Sequence, residues 1–196
     1  EVNLVSVRQN KDAARFLEAV RLVSANTALG LVLMSSDLAA LKQALEILKG
    51  RNPLIYHASK DNLDGFMQLA KEYKAVLAVC ADSLEEVGNL TVALSNQGVN
   101  DLIIETANKP IADKIWDLTQ GRRLALKKSN RSLGYPFLVI IEQDDPYEEA
   151  QEAASYIAKY AGIILLKGIE NWEVLSLLTL RQNIYTDPQK PLQIEP

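Results

Sequence analysis

Seven polar or reactive residues each follow a short apolar run in this chain of 196 residues: Arg8, Ser35, His57, Cys80, Glu105, Glu142 and Lys167. Two carboxylates on different segments and a histidine would suit general acid/base work, provided burial drove their proton affinities apart. His57, the only histidine, reads either as a ligand or proton shuttle or as a hydrogen-bonded imidazole at a strand end. His57, Glu105, Glu142 and Lys167 are the candidates for a binding or acid/base site. A plainer reading stands beside that one: polar residues begin wherever a buried strand ends, whether or not they do chemistry. Cys80 has no histidine near it in sequence to activate a thiolate and closes an apolar run, which reads as core. No Walker loop, GxSxG elbow, HExxH or CxxC is present, so the residues themselves name no catalytic constellation and no metal site.

The segments that would position these residues alternate in type. Val2-Asn3-Leu4-Val5-Ser6-Val7 alternates as a strand would, and Asn10 is the expected cap of an amphipathic helix through about Val23. Gly30-Leu31-Val32-Leu33-Met34 is a second strand, followed by a helix capped at Ser36 or Asp37 that stops near Gly50. Pro53 enters the strand Leu54-Ile55-Tyr56, and Ser59 with Asn62 flanks a helix to about Tyr73. Strands are expected again at Ala75 to Val79, Leu102 to Ile104, Phe137 to Ile141 and Ile163 to Leu166. The intervening helices start at Asp82 or Ser83, about Ile111 and Pro146, and a last helix runs from Glu170 to Leu180.

Strands of about five successive apolar residues are buried on both faces, as parallel strands are, and one helix separates each from the next. Right-handed crossovers leave two architectures, an open doubly wound sheet and a closed barrel. The even repeat, with no glycine-rich phosphate loop after the first strand, favours an α/β fold of the (β/α) TIM-barrel type, incomplete at about seven of eight units. The chain opens on Glu1 and not on Met, which points to an eighth strand lost upstream.

A composition of 48% hydrophobic and 23% charged residues fits one ordinary globular domain. The formal charge of -4 argues against a nucleic-acid or anionic-membrane partner. No apolar run reaches the ~18 residues of a membrane span, and no signal-peptide pattern is present, so the chain reads as cytoplasmic. A single cysteine rules out an intrachain disulfide and a cysteine-rich cluster built from this chain alone. Arg122, Arg123, Lys127, Lys128 and Arg131 gather at the end of a helix, where cations offset the dipole; a docking surface for an acidic partner is the sharper alternative. The run from Arg181 to Pro191 reads as a helix-ending Asn183, an Asp-Pro turn and an extended exit.

Several of these stretches carry a resemblance. Gly121-Arg122-Arg123-Leu124-Ala125-Leu126-Lys127-Lys128, Leu133-Gly134-Tyr135-Pro136, Lys159-Tyr160-Ala161 and Arg181-Gln182-Asn183-Ile184-Tyr185-Thr186-Asp187-Pro188-Gln189 are similar to the large (gamma) subunit of the corrinoid iron-sulfur protein. So are Leu31-Val32-Leu33-Met34, Asn52-Pro53-Leu54-Ile55-Tyr56 and Leu69-Ala70-Lys71-Glu72. The resemblance implies the central barrel of a methyl carrier, akin to the pterin-binding barrels of dihydropteroate synthase. Its cobalt corrinoid would take a methyl group from a methyltetrahydropterin and deliver it to acetyl-CoA synthase in the Wood–Ljungdahl pathway.

The same resemblance implies that residues 1–183 form the barrel and 184–196 an exit linker toward a corrinoid-binding domain. The cobalt corrinoid and a 4Fe-4S cluster would then be held by other parts of the full-length protein, with none bound by this stretch. The implied partners are a small-subunit barrel, and the methyltransferase and acetyl-CoA synthase through the full-length protein. One departure stands out: Glu105-Thr106-Ala107-Asn108 replaces the Asp-Pro-Gly turn of the family, which weighs against pterin binding here. The rival expectations are a stand-alone pterin-dependent methyltransferase and a diverged, non-catalytic assembly module.

Overall fold

The computed structural model describes residues 3–107 and 109–185. The chain divides into two compact units, one ending at Ala107 and the other running from Asn108 onward.

The first unit is a run of four βα units closed by a fifth strand: β1 (Leu4–Arg8), α1 (Ala13–Asn26), β2 (Gly30–Met34), α2 (Leu38–Ile47), β3 (Leu54–Ala58), α3 (Leu63–Tyr73), β4 (Val76–Ala81), α4 (Leu84–Asn96) and β5 (Leu102–Thr106). All four pairings are parallel, and the strands lie side by side in chain order. That order distinguishes the two architectures the alternation leaves open. A doubly wound sheet reverses direction at a switch point, whereas a barrel adds each strand to the same edge. No reversal occurs between β1 and β5.

The strand interiors are closed to water: Val32, Leu33, Ile55, Leu77, Ala78, Val79 and Ile104 are 0% exposed. Each helix turns one apolar stripe to this sheet, as Phe16, Leu17 and Val20 do on α1, and Val87, Thr91 and Leu94 on α4. The spacing of three and four residues repeats the helical period that the sequence carries. Burying each large side chain of this kind contributes about 1.5–3 kcal/mol.

Short polar residues start the helices. The Asp37 carboxylate accepts from the backbone N–H groups of Ala39 and Ala40 at 2.9 and 3.1 Å, and Ser83 accepts from Glu86. The first helix starts at a different cap than expected, because the Asp12 carboxylate, and not Asn10, accepts the N–H of Ala14 at 2.8 Å. An ionised acceptor at that position also meets the positive end of the helix dipole. Gly98 ends α4 at a φ of +85°, a conformation that glycine adopts without a Cβ clash. At the opposite end of the sheet from the strand tips, Arg51 ties the α2–β3 loop to the end of α1 and the loop that follows it. Its guanidinium donates to the carbonyls of Ser24, Thr27 and Leu29 at 2.9, 2.8 and 3.0 Å.

The second unit holds α5 (Ile111–Lys127), a short 3₁₀ turn (Arg131–Leu133), β6 (Phe137–Ile140), α6 (Pro146–Ile157), β7 (Ala161–Leu165) and α7 (Asn171–Tyr185). Strands β6 and β7 are parallel, with a shift in register between Phe137 and Leu138 that leaves Gly162 without an opposite residue. A Cβ at Gly162 would lie 3.1 Å from the Pro136 side chain and 3.4 Å from the Phe137 carbonyl oxygen, so the bulge is shaped for glycine. The last helix is longer than the sequence indicates. Asn183 does not end it; α7 continues to Tyr185, whose hydroxyl donates to the Ile157 carbonyl at 2.9 Å. The Asp-Pro turn at Asp187 and Pro188 lies outside the described residues, as does Asn108 of the stretch that replaces the Asp-Pro-Gly turn.

Candidate functional site

In the first unit, the C-terminal ends of β1, β3, β4 and β5 bring Arg8, Tyr56, Cys80 and Glu105 into one electrostatic group. Tyr56 is its hub. Burial drives the phenol far above its ordinary pKa, and the Glu105 carboxylate reinforces this by its charge and by accepting the hydroxyl hydrogen. Cys80 pushes in the same direction, and the Arg8 guanidinium opposes them. Glu105 is 5% exposed and sits within β5, opposite Cys80 across the β4–β5 ladder. It is therefore an interior strand residue and not the first residue past the strand, because β5 continues through Thr106.

His57 follows Tyr56 through a cis peptide bond. Its ring meets the Tyr56 ring edge-on, with centroids 4.5 Å apart and planes inclined by 73°. Burial lowers its pKa, which favours the neutral imidazole. The loop after it is braced by Asn62, whose side chain accepts from the Ser59 N–H at 2.7 Å and donates to the His57 carbonyl at 3.3 Å. Ser35 is spent on its own turn, donating to the Gln9 side chain and accepting the Asp37 N–H at 2.9 Å. Chemically, the group offers a buried carboxylate, a phenol that stays protonated, a neutral imidazole and an arginine at the rim. Such a set can bind and orient a polar ligand by hydrogen bonds.

In the second unit, Glu142 and Lys167 meet at the ends of β6 and β7. The Lys167 ammonium donates to the Glu142 carbonyl at 2.9 Å and to the Asp144 carboxylate at 2.7 Å. The contact to Glu142 is thus to its backbone, and Asp144 takes the charge. Hydrogen bonding to Lys167, then its charge, holds the Asp144 carboxyl below its usual range. The basic cluster lies along the second half of α5 and the turn beyond it, with the Arg122 guanidinium 5.8 Å above the Tyr160 ring.

Two functional-looking groups are absent from the sequence-derived set. Tyr56 reads in sequence as a strand aromatic, with nothing to tell that its hydroxyl meets Glu105. Glu149 and Glu173, 2% and 0% exposed, stand in the first turns of α6 and α7, where acidic residues ordinarily face solvent. No sequence signal distinguishes them from their exposed neighbours.

The family model described as CO dehydrogenase/acetyl-CoA synthase delta subunit matches residues 1–196. The chain belongs to this family. Among curated relatives it is 38% identical to the corrinoid/iron-sulfur protein large subunit of Moorella thermoacetica, over 99% of this chain and 44% of that protein. It is 32% identical to the acetyl-CoA decarbonylase/synthase complex subunit gamma of Archaeoglobus fulgidus, over 94% of this chain and 42% of that one. The chain therefore spans less than half the length of these relatives. Among solved structures, dihydropteroate synthase from Xanthomonas albilineans in complex with 7,8-dihydropteroate superposes with a TM-score of 0.64 at 15% identity, over 95% of this chain and 82% of that one. The Yersinia pestis enzyme gives the same score at 12% identity. This family member has the (β/α) barrel fold of those enzymes, and the described residues hold seven strands.

An iron-sulfur cluster takes about four thiolates, and this chain has one cysteine, buried in β4. The ligand set does not fit such a cluster.

Proposed function

We propose that this chain is the barrel portion of a corrinoid iron-sulfur protein large subunit. It acts as scaffold and heterodimer surface while the full-length protein carries a methyl group from a methyltetrahydropterin to acetyl-CoA synthase. The observation that carries this reading is the family match across residues 1–196, together with relatives named as the large or gamma subunit. In this reading the cobalt corrinoid and the 4Fe-4S cluster are held outside these residues, in keeping with the single buried cysteine. The partner surface is supported by apolar side chains left in solvent, Trp116 and Leu126 on α5 and Leu175 on α7, which are 64%, 63% and 56% exposed. The partner is a small-subunit barrel, and the setting is the cytoplasm.

The experiment is co-purification of the chain with a small-subunit barrel. The expected result is a stoichiometric complex that Trp116→Asp or Leu175→Asp weakens. Failure of the two to associate, with both shown to be folded, would remove the scaffold reading.

A second reading is favoured by the fold shared with dihydropteroate synthase and by the polar group around Tyr56 and Glu105. In it, the barrel binds a pterin without a partner. Titration with methyltetrahydrofolate separates the two, since a stand-alone methyltransferase barrel binds it alone and a scaffold does not.

A further inference from the structure

The β7–α7 turn rests on two buried carboxyl groups that the reading above leaves unused. Glu149 of α6 accepts the backbone N–H groups of both Lys167 and Gly168, the latter at 2.9 Å. Glu173 of α7 points at the same place. Its Oε2 and that of Glu149 lie 3.2 and 3.0 Å from the position a Cβ on Gly168 would take. Glu173 is 0% exposed, and its carboxyl group meets the Glu149 carboxyl and the Glu170 backbone N–H. The charged groups facing it are Glu149 and Glu170, both acidic. Lys167 supplies no compensation, because its ammonium is engaged with the Glu142 carbonyl and Asp144.

The Glu170 N–H offsets only part of the cost of burying a second carboxylate beside Glu149, and a neutral acid donating to Glu149 is the form such a site accepts. We propose that Glu149 and Glu173 hold one proton between them as a clamp on the β7–α7 turn, and that loss of this proton to solvent loosens the turn. The step is a simple ionisation: the Glu173 O–H bond breaks, the proton leaves to a solvent base, and the electron pair stays on the carboxylate. What loosens is the segment from Lys167 to Asn171 at the end of β7, which presents exposed Lys167 and Ile169. Burial, then the charge of Glu149, raises the pKa of Glu173 above its ordinary 4.5. The native protein therefore holds this proton where the unfolded chain has released it. Stability is fully present below about pH 4.5 and falls as pH rises toward the native pKa.

Glu173→Gln replaces the neutral acid by a neutral amide of the same shape. Hydrogen exchange at the Lys167 and Gly168 amides, normalised to the intrinsic rate, is to be followed from pH 5 to pH 9 in wild type and variant. Wild type should lose protection as pH rises, and the variant should keep it, exchanging more slowly than wild type at pH 9. Glu149→Gln should lose protection at every pH, since it turns one of the two oxygens that accept the Lys167 and Gly168 N–H groups into an amide donor. Identical pH dependence in wild type and Glu173→Gln would overturn the proposal. Should Glu173→Gln fail to fold, the infrared carbonyl band of a protonated carboxyl in wild type at neutral pH decides the matter, and its absence would equally refute the clamp.

Discussion

Tyr56→Phe removes one hydroxyl from the centre of the polar group in the first unit and leaves the ring, with its edge-on contact to His57, in place. The lost interaction is a hydrogen bond from a largely buried phenol to the carboxylate of Glu105, which is 5% exposed. A hydrogen bond to a charged group contributes about 1.5–3 kcal/mol, and the loss leaves a buried acceptor short of one donor. The expected destabilisation is therefore about 1.5–3 kcal/mol. For a protein of this size, each kcal/mol lowers the melting temperature by about 2–4 °C. Urea denaturation with an unchanged m value provides the equilibrium measurement.

The same pair makes an independent prediction in alkali. The folded phenol keeps its proton above the ordinary tyrosine pKa of 10.0, whereas the unfolded chain releases it there. Native protein thus binds more protons than unfolded protein above pH 10, and wild-type stability falls with rising pH in that range. Tyr56→Phe should flatten this fall, and phenolate absorbance at about pH 11 should be the same in folded wild type and variant. A destabilisation below about 0.5 kcal/mol, or a drop in phenolate signal on substitution, would refute the buried Tyr56–Glu105 pairing.

Two further outcomes test the scaffold beneath the site. Arg51→Ala strips three carbonyls of a shared charged donor and should cost about 3 kcal/mol in denaturant melts. Arg51→Lys should recover only part of that, because one ammonium cannot reproduce the planar fork. Asp37→Ala leaves two N–H groups at the start of α2 without their acceptor and should lower stability by about 1 kcal/mol by thermal melting, with Asp37→Asn restoring most of it.

The legibility of these features in sequence follows their range. Strand and helix alternation is a local signal, and the apolar runs at Leu31, Leu77 and Ile103 appear as β2, β4 and β5. Ends are less legible. The Asp12 cap and the extension of α7 to Tyr185 turn on single hydrogen bonds, and several nearby side chains or carbonyls could satisfy each of them. Of the candidate site residues, the structure gathers Arg8, Cys80 and Glu105 around Tyr56 with His57 adjoining. It joins Lys167 to the Glu142 backbone and to Asp144. Ser35 serves its own loop.

By itself, the sequence determined that parallel strands alternate with helices, that strand ends carry the polar residues, and to which family the chain is similar. These depend on the two- and 3.6-residue periods and on motifs read within one stretch of chain. Only the tertiary structure decided that the first five strands add in order without reversal, that Tyr56 reaches across β4 to Glu105, and that Glu149 and Glu173 are both buried beside Gly168. Which side chains end up side by side depends on strand register and helix packing, neither of which a single sequence encodes locally. An acidic residue in a helix's first turn has the same local signature in solvent as it has in the interior.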